Sequence, residues 1–543
     1  MRTADWVLHN GRIYTMDKRL AVAASVAISA SRILAVSERT DDLLPLLSPA
    51  GQALDLRGAT VLPGFTDGHV HFLEYARKLQ RLALDGLTSL DAVLEAVAAR
   101  ASRSAPDEWI LGGGWDRNLW PDPRFPTRRH LDRIAPDNPV ALDSKDLHSV
   151  WVNSRALEMA GITRETPDPE GGEIERDERG EPTGILKESA CTLLRNVIPV
   201  PGCEEMVRAL REAIARAHAV GITGIHNCER AEALALFGVL HQRGELTLRV
   251  LAHLSEDTAD DAIRAGVFTG LGDATLRIGG LKLFADGSLG SRTAHMLAPF
   301  EGTDNCGICT MTKAEMREWV FRACDAGISA TIHAIGDRAN REVLDVLAEA
   351  RQREDTLRPP LRHRIEHAQL LTEEDIPRFA RLDIIASAQP MHATADYEMV
   401  DRYWGTRGRW AYPFRSLLAR GTRLAFGSDC PVERFDPLLG IHAAVTRRRA
   451  DGSPGPDGWQ PQERLTVEEA VRAFTLGNAY AAGLEGQLGS ITPGKLADLV
   501  VLSEDIFAID AMRIPAARVL GTFFGGRLVY ADTGAGWGER APA

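Results

Sequence analysis

Val61-Leu62-Pro63-Gly64-Phe65-Thr66-Asp67-Gly68-His69-Val70-His71 is the stretch on which the fold turns. Its apolar, β-rich opening from Val61 to Thr66 predicts a strand that runs into Asp67-Gly68 and the histidine pair. In an extended segment alternate side chains share a face, so His69 and His71 point one way while Val70 packs on the other. Two imidazoles on one face can chelate a metal, although an isolated His-x-His is as often a surface pair.

Seven further candidate strands follow downstream: Gly221 to Asn227, Leu246 to Leu254, Gly279 to Phe284, Ile328 to Ala334, Arg362 to His367, Ile384 to Gln389 and Thr422 to Ser428. They alternate with helical patterns, which predicts an α/β fold, a (β/α)8 TIM-like barrel. The last barrel helix is marked by the capping box Thr466-Val467-Glu468-Glu469 and the apolar stripe Ala470, Val471, Phe474. Barrel enzymes build their sites at the carboxyl ends of the strands, which is where His69 and His71 fall. Lys282, His333, His367 and Asp429 stand at four more such ends. A lone histidine near a strand end is more often a satisfied core group, and a lysine inside an apolar strand is costly unless paired or neutralised. Their joint recurrence at five strand ends is what ordinary packing does not explain.

Outside the barrel both ends are β-rich. Short runs at Trp6 to Leu8, Arg12 to Tyr14, Val22 to Ile28 and Arg32 to Val36 find counterparts at Gly489 to Ile491, Ala497 to Leu502 and Arg527 to Tyr530. Neither end holds enough strands for its own core, which predicts a composite β-sandwich from both termini. Asn10-Gly11 reads as the turn of a hairpin. The stretch between the first two barrel strands is too long for one connection and reads as an insertion after the first barrel strand. The expected domains are residues 1–60 and 484–543 as the two parts of the sandwich, and 61–483 as a metal-dependent barrel with an inserted subdomain at about 74–201.

The 543 residues suit a barrel with such additions, and 44% hydrophobic content can fill its cores. The 75 acidic residues outnumber the 63 basic ones and are scattered, which argues against a nucleic-acid partner. The opening Met1-Arg2-Thr3-Ala4-Asp5-Trp6 lacks a secretory core and no apolar run reaches spanning length, so a cytoplasmic protein with no membrane partner is expected. Seven dispersed cysteines do not form a disulfide framework. Cys306-Gly307-Ile308-Cys309 has metal-clip spacing without a second pair, and Gly112 to Gly114 lacks the residues of a phosphate loop.

Taken together, Leu62 to His71, Lys282-Leu283-Phe284-Ala285-Asp286-Gly287-Ser288, His333 to Asp337, Glu366-His367-Ala368, Gly427-Ser428-Asp429 and Gly494 to Val500 resemble the amidohydrolase superfamily. The likeness is to amidohydrolase family 3, the N-substituted formamide deformylase-like branch, and spans nearly the whole chain. It implies His69, His71 and Asp429 on one metal, His333 and His367 on a second, and a CO2-derived carbamate on Lys282 bridging the two. Two Zn2+ ions are the expected cofactors, with Mn2+ or Fe2+ tolerated by the same donors. The implied activity is hydrolysis of a C–N bond in an amide-like small molecule by metal-activated hydroxide, with Asp429 shuttling the proton. Ester or lactone hydrolysis, deamination, or silent small-molecule binding on this fold are the alternatives.

Lower-ranked candidates complete the set. His148, within Asp146 to Asn153, is expected to contact substrate or its oxyanion and joins Asp429 and Lys282 as catalytic, against an equal case for a structural histidine. Trp115 is a candidate to line an apolar pocket, although a buried core tryptophan is commoner. Asp337, Gln389 and His392 lie just past strand ends and are expected to shape the substrate pocket. The expected partner is a small-molecule substrate, and a homodimer is compatible with the chain.

Overall fold

The computed structural model describes residues 3–145, 149–199, 201–353 and 360–535. By its contacts the chain divides into two compact units, Met1–Tyr75 with Leu210–Ala543, and Ala76–Ala209.

The first unit is built on eight parallel strands in chain order: Phe65–Val70, Ile222–Asn227, Arg249–Ser255, Leu276–Phe284, Ala330–Ala334, Arg364–His367, Ile385–Ala388 and Leu424–Phe426. Every residue of Ile222–Asn227, Arg364–His367 and Ile385–Ala388 is buried, as expected of strands covered on both faces. The sheet closes just past its eighth strand. There Val70 is bridged in parallel to Cys430, the Asp429 N–H donates to the His69 carbonyl at 2.8 Å, and the His71 N–H donates to the Cys430 carbonyl at 2.8 Å. The result is a TIM-like barrel. The capping box at Thr466 forms as expected, with Glu469 returning to the Thr466 N–H.

The opening strand is displaced from its expected place. Thr60–Pro63 belongs to another sheet, where it pairs with Leu499–Leu502 and Arg12–Asp17, and the barrel strand is Phe65–Val70. Gly64 is the crossing point between the sheets. A Cβ there would stand 2.3 Å from the Thr223 hydroxyl oxygen, so only glycine lets the chain pass this close to the second barrel strand. His69 consequently lies inside the barrel strand rather than beyond it, and is 1% exposed.

A six-stranded sheet joins the two ends of the chain in the order Arg527–Ala531, Val519–Phe524, Leu499–Leu502, Thr60–Pro63, Arg12–Asp17, Leu20–Ala23. A four-stranded sheet of Arg32–Ser37, Ser25–Ser29, Ala4–His9 and Leu47–Asp55 shares its core, with Leu8, Val26, Ile28 and Leu54 meeting Ile13, Val61, Leu499, Val501 and Phe523. This is the composite β-sandwich. Asn10-Gly11 is not the hairpin that its residue types suggest, because Ala4–His9 and Arg12–Asp17 lie in different sheets. Asn10 takes a φ of 56°, and a Cβ at Gly11 would fall 2.3 Å from the Leu56 side chain. The turn thus carries the chain around Leu56 from one sheet to the other.

The second unit holds its own six-stranded mixed sheet, from Leu82–Ala83 at one edge to Gly172–Arg176 at the other. Its core gathers Trp115, Trp120 and Trp151 with Val93, Val97, Ile110 and Leu142. No helix among the described residues is long and apolar enough to cross a membrane.

Candidate metal centre

The ends of the first, fifth, sixth and eighth barrel strands converge. His69, His367 and Asp429 present ligand atoms within 4.8 Å of one another. The His69 and His367 rings lie 4.9 Å apart between centroids, His367 and His333 lie 4.5 Å apart, and His69 and His71 lie 5.7 Å apart. Asp429 Oδ1 stands 3.5 Å from His69 Nε2 and 3.4 Å from His71 Nε2. His367 and Asp429 owe their positions to left-handed backbone, with φ of 71° and 60°. In an unbroken strand, His367 would face away from Glu366. The turn at His367 and Ala368 breaks that alternation and lets both residues serve the cluster. Such conformations in non-glycine residues cost about 1–3 kcal/mol each and persist where the surroundings enforce them.

Three of these imidazoles, His69, His367 and His333, have one nitrogen engaged and one left as a donor to a cation. His69 Nδ1 meets Glu366 Oε2 at 2.5 Å, His367 Nδ1 donates to Gln389 Oε1 at 3.0 Å, and His333 Nε2 donates to the Gly287 carbonyl at 2.9 Å. Fixing the proton on one ring nitrogen sets the tautomer and leaves the other lone pair for coordination. Burial, followed by the Lys282 charge, pushes His333 down to about 3, while burial and then the His333 ring push His367 well down. Burial also lowers His69. These rings are neutral, which is the form that binds metals. Burial alone would raise the Asp429 carboxyl, but His69 and the hydrogen bonds from His392 and His71 outweigh it and hold Asp429 well below the usual carboxylate range.

Lys282 is the strongest sign that something charged belongs here. It is 4% exposed, its Nζ makes no hydrogen bond among the described residues, and the Phe284 ring lies 4.2 Å from it. Burial pushes its pKa down. An unpaired ammonium in such a place is unfavourable, whereas a carbamate on the same nitrogen would supply oxygen donors to cations held by the surrounding imidazoles. The donor set of neutral imidazoles, an aspartate and a modifiable lysine fits divalent cations such as zinc.

Of the lower-ranked residues, Gln389 and His392 join the cluster. Gln389 orients His367, and His392 Nε2 donates to Asp429 Oδ2 at 3.2 Å. Asp337 instead accepts the backbone N–H of Leu297 at 2.7 Å and anchors the loop that follows the fourth strand. Trp115 is 2% exposed in the core of the Ala76–Ala209 unit, where its indole N–H donates to the Leu142 carbonyl. His148 lies outside the described residues.

Sequence reasoning missed the layer beneath the ligands. Arg364 is buried and donates to both oxygens of Glu366, to the Gly68 carbonyl at 2.5 Å, to Ser387 Oγ at 2.6 Å and to His226 Nδ1 at 2.8 Å. Burial would raise the Glu366 carboxyl, but Arg364 and His69 hold it well below the usual range. The ionised Glu366 in turn fixes His69. Cys228, just past the second strand, brings its sulfur within 4.8 Å of ligand atoms of His69 and Glu366. The available signal was Arg364-Ile365-Glu366, two opposite charges on one face of a strand that leads into His367. Replacing Glu366 by glutamine is expected to weaken metal affinity by about 10–100-fold, measured by competition with a chelating dye. Unchanged affinity would mean that this carboxylate does not support the site.

Known proteins resemble the chain over most of its length. The amidohydrolase family model, Amidohydro_3, matches residues 52–530. The Bacillus subtilis (strain 168) protein YtcJ is 33% identical over 96% of this chain and 99% of its own length. The N-substituted formamide deformylase of Arthrobacter pascens is 31% identical over 98% and 99%. The crystal structure of an uncharacterized metal-dependent hydrolase from Pyrococcus furiosus superposes with a TM-score of 0.76 at 30% identity, covering 92% of this chain and 99% of that one. With its strand ends converging on one buried donor cluster, the chain belongs to the amidohydrolase family and is a metal-dependent hydrolase.

Proposed function

We propose that the protein hydrolyses the C–N bond of an amide-like small molecule at a centre for two divalent cations, zinc foremost. His69, His71 and Asp429 would hold one cation, His333 and His367 the other, and a carbamate on Lys282 would bridge them. The observation that carries this reading is the buried Lys282 Nζ, without a hydrogen-bond partner among the described residues and set among ligand-competent imidazoles. When bound, the cations would lower the pKa of water and polarise a substrate carbonyl. Asp429 accepts the proton from the attacking water on its carboxylate and returns it to the departing nitrogen. His392, raised to about 10 because its bonds to Asp429 and Glu433 outweigh burial, keeps Asp429 Oδ2 engaged and the carboxylate ionised. The Arthrobacter pascens relative is named for deformylation of N-substituted formamides, which favours amides over esters as substrates.

Metal-replete protein assayed on N-substituted amides, matched esters and aminated heterocycles is expected to turn over the amides with the highest kcat/KM. Preference for esters or heterocyclic amines would overturn the C–N amide assignment. Stripping the metals with a chelator is expected to remove activity and to lower Tm reversibly, since a ligand present at about 1,000 times its Kd stabilises by about 4 kcal/mol. A Tm indifferent to chelation and reloading would contradict a cation bound by the folded barrel.

A further inference from the structure

We propose that His295, Cys309 and Glu342 form a separate site for a thiophilic divalent cation of the zinc class, outside the barrel centre. Their ligand atoms lie within 4.8 Å of one another. His295 and Cys309 come from the long loop after the fourth barrel strand, and Glu342 from the helix Asp337–Arg353 after the fifth. The loop is folded back on itself to bring them together. Met296 N–H donates to the Cys306 carbonyl at 2.9 Å, Ile308 N–H donates to the Thr293 carbonyl at 3.0 Å, and Cys309 is bridged to Asp286. Gly307 makes this possible: its φ is 79°, and a Cβ would stand 1.9 Å from the Ala294 carbonyl oxygen.

A second observation points to a ligand. His295 Nδ1 is buried and has no hydrogen-bond partner among the described residues, an unfavourable state for an imidazole nitrogen that a cation would relieve. Burial lowers the His295 pKa, so the ring is neutral and ready to coordinate. Burial and then the charge of Glu342 push the Cys309 thiol up, so that cation capture would release its proton. Cys309 is exposed, which gives the ion a route from solvent. The cluster takes Cys309 without Cys306, so the Cys-x-x-Cys spacing does not define the clip. Nitrogen, sulfur and oxygen donors suit zinc, with a fourth position left for water, whereas magnesium and calcium avoid thiolate. The site also adjoins the reaction centre. Asp286 accepts the His295 N–H on Oδ2 and the Ile335 N–H on Oδ1, and its Oδ1 lies 3.5 Å from His333 Nε2. A filled site would therefore brace the loop against His333.

The test is titration of the metal-stripped full-length protein with Co2+, reading bound stoichiometry and the near-ultraviolet thiolate-to-cobalt absorption. Wild type is expected to show that band and to bind one equivalent more than Cys309→Ser, which lacks it. The band should persist in Cys306→Ser and Cys228→Ser, while His295→Ala and Glu342→Gln should weaken its midpoint by about tenfold or more. A wild type without the band would overturn the proposal. So would a band lost in Cys228→Ser or Cys306→Ser yet kept in Cys309→Ser, or one indifferent to His295 and Glu342. Because the band reports sulfur ligation, these outcomes are independent of whether the barrel centre turns over amides.

Discussion

Asp429→Asn is expected to lower kcat by about 10²- to 10⁴-fold, the range associated with losing a positioned proton-transfer group. The substitution keeps the side-chain shape and one carbonyl oxygen near His69 and His71 while removing the basic carboxylate, so metal content should fall far less than turnover. His392 donates to Asp429 Oδ2 in the native protein and retains an acceptor only if the amide presents its oxygen there. Steady-state kinetics combined with metal analysis by mass spectrometry separate the two effects. A variant that kept both metals and full turnover would remove Asp429 from the proton path.

Lys282→Ala should be comparably severe for a different reason. On the two-cation centre proposed above, the lost amine removes the bridging oxygens, and metal stoichiometry is expected to drop from two to one. Activity should fall by more than the 10–100-fold typical of lost supporting groups, with partial recovery on adding formate or acetate, which can occupy the vacated bridge. Lys282→Met, which keeps the apolar stem against Phe284, should behave alike and thereby separate a lost ligand from lost packing. Unchanged stoichiometry in both variants would mean a mononuclear centre with an unmodified lysine.

Much of this was legible in the chain because parallel strands buried on both faces appear as continuous apolar runs, and polar residues at their ends stand out against them. Lys282, His333 and Asp429 were visible on that contrast, whereas His367 follows the charged Arg364-Ile365-Glu366 and stood out only by its place at a strand end. The first barrel strand was misplaced because apolar residues continue across Gly64, and nothing local says that Thr60–Pro63 belongs with Leu499–Leu502 near the other end of the chain. Asn10-Gly11 failed for a related reason. Turn chemistry sets local backbone angles, whereas which sheet each flanking strand enters depends on the distant packing of Leu56 and Val61. Arg364 and Glu366 were hidden because an Arg-x-Glu pair on a strand is ordinary where water covers it, and only burial turns it into the support for His69. Trp115 illustrates the converse: an aromatic residue beside a glycine run suggests a pocket wall, and it became the packing centre of its own unit.

The junction where the cylinder closes is made by the backbone of His69, His71, Asp429 and Cys430, two of whose side chains bracket the carboxylate between them. These segments come from the first and the last barrel strands, so the part of the donor cluster made by His69, His71 and Asp429 forms only when the ring closes. During synthesis, nothing upstream of the eighth strand can assemble the pocket that His69, His71 and Asp429 create together. A cation held by His69, His71 and Asp429 together would therefore report that the polypeptide has closed its ring.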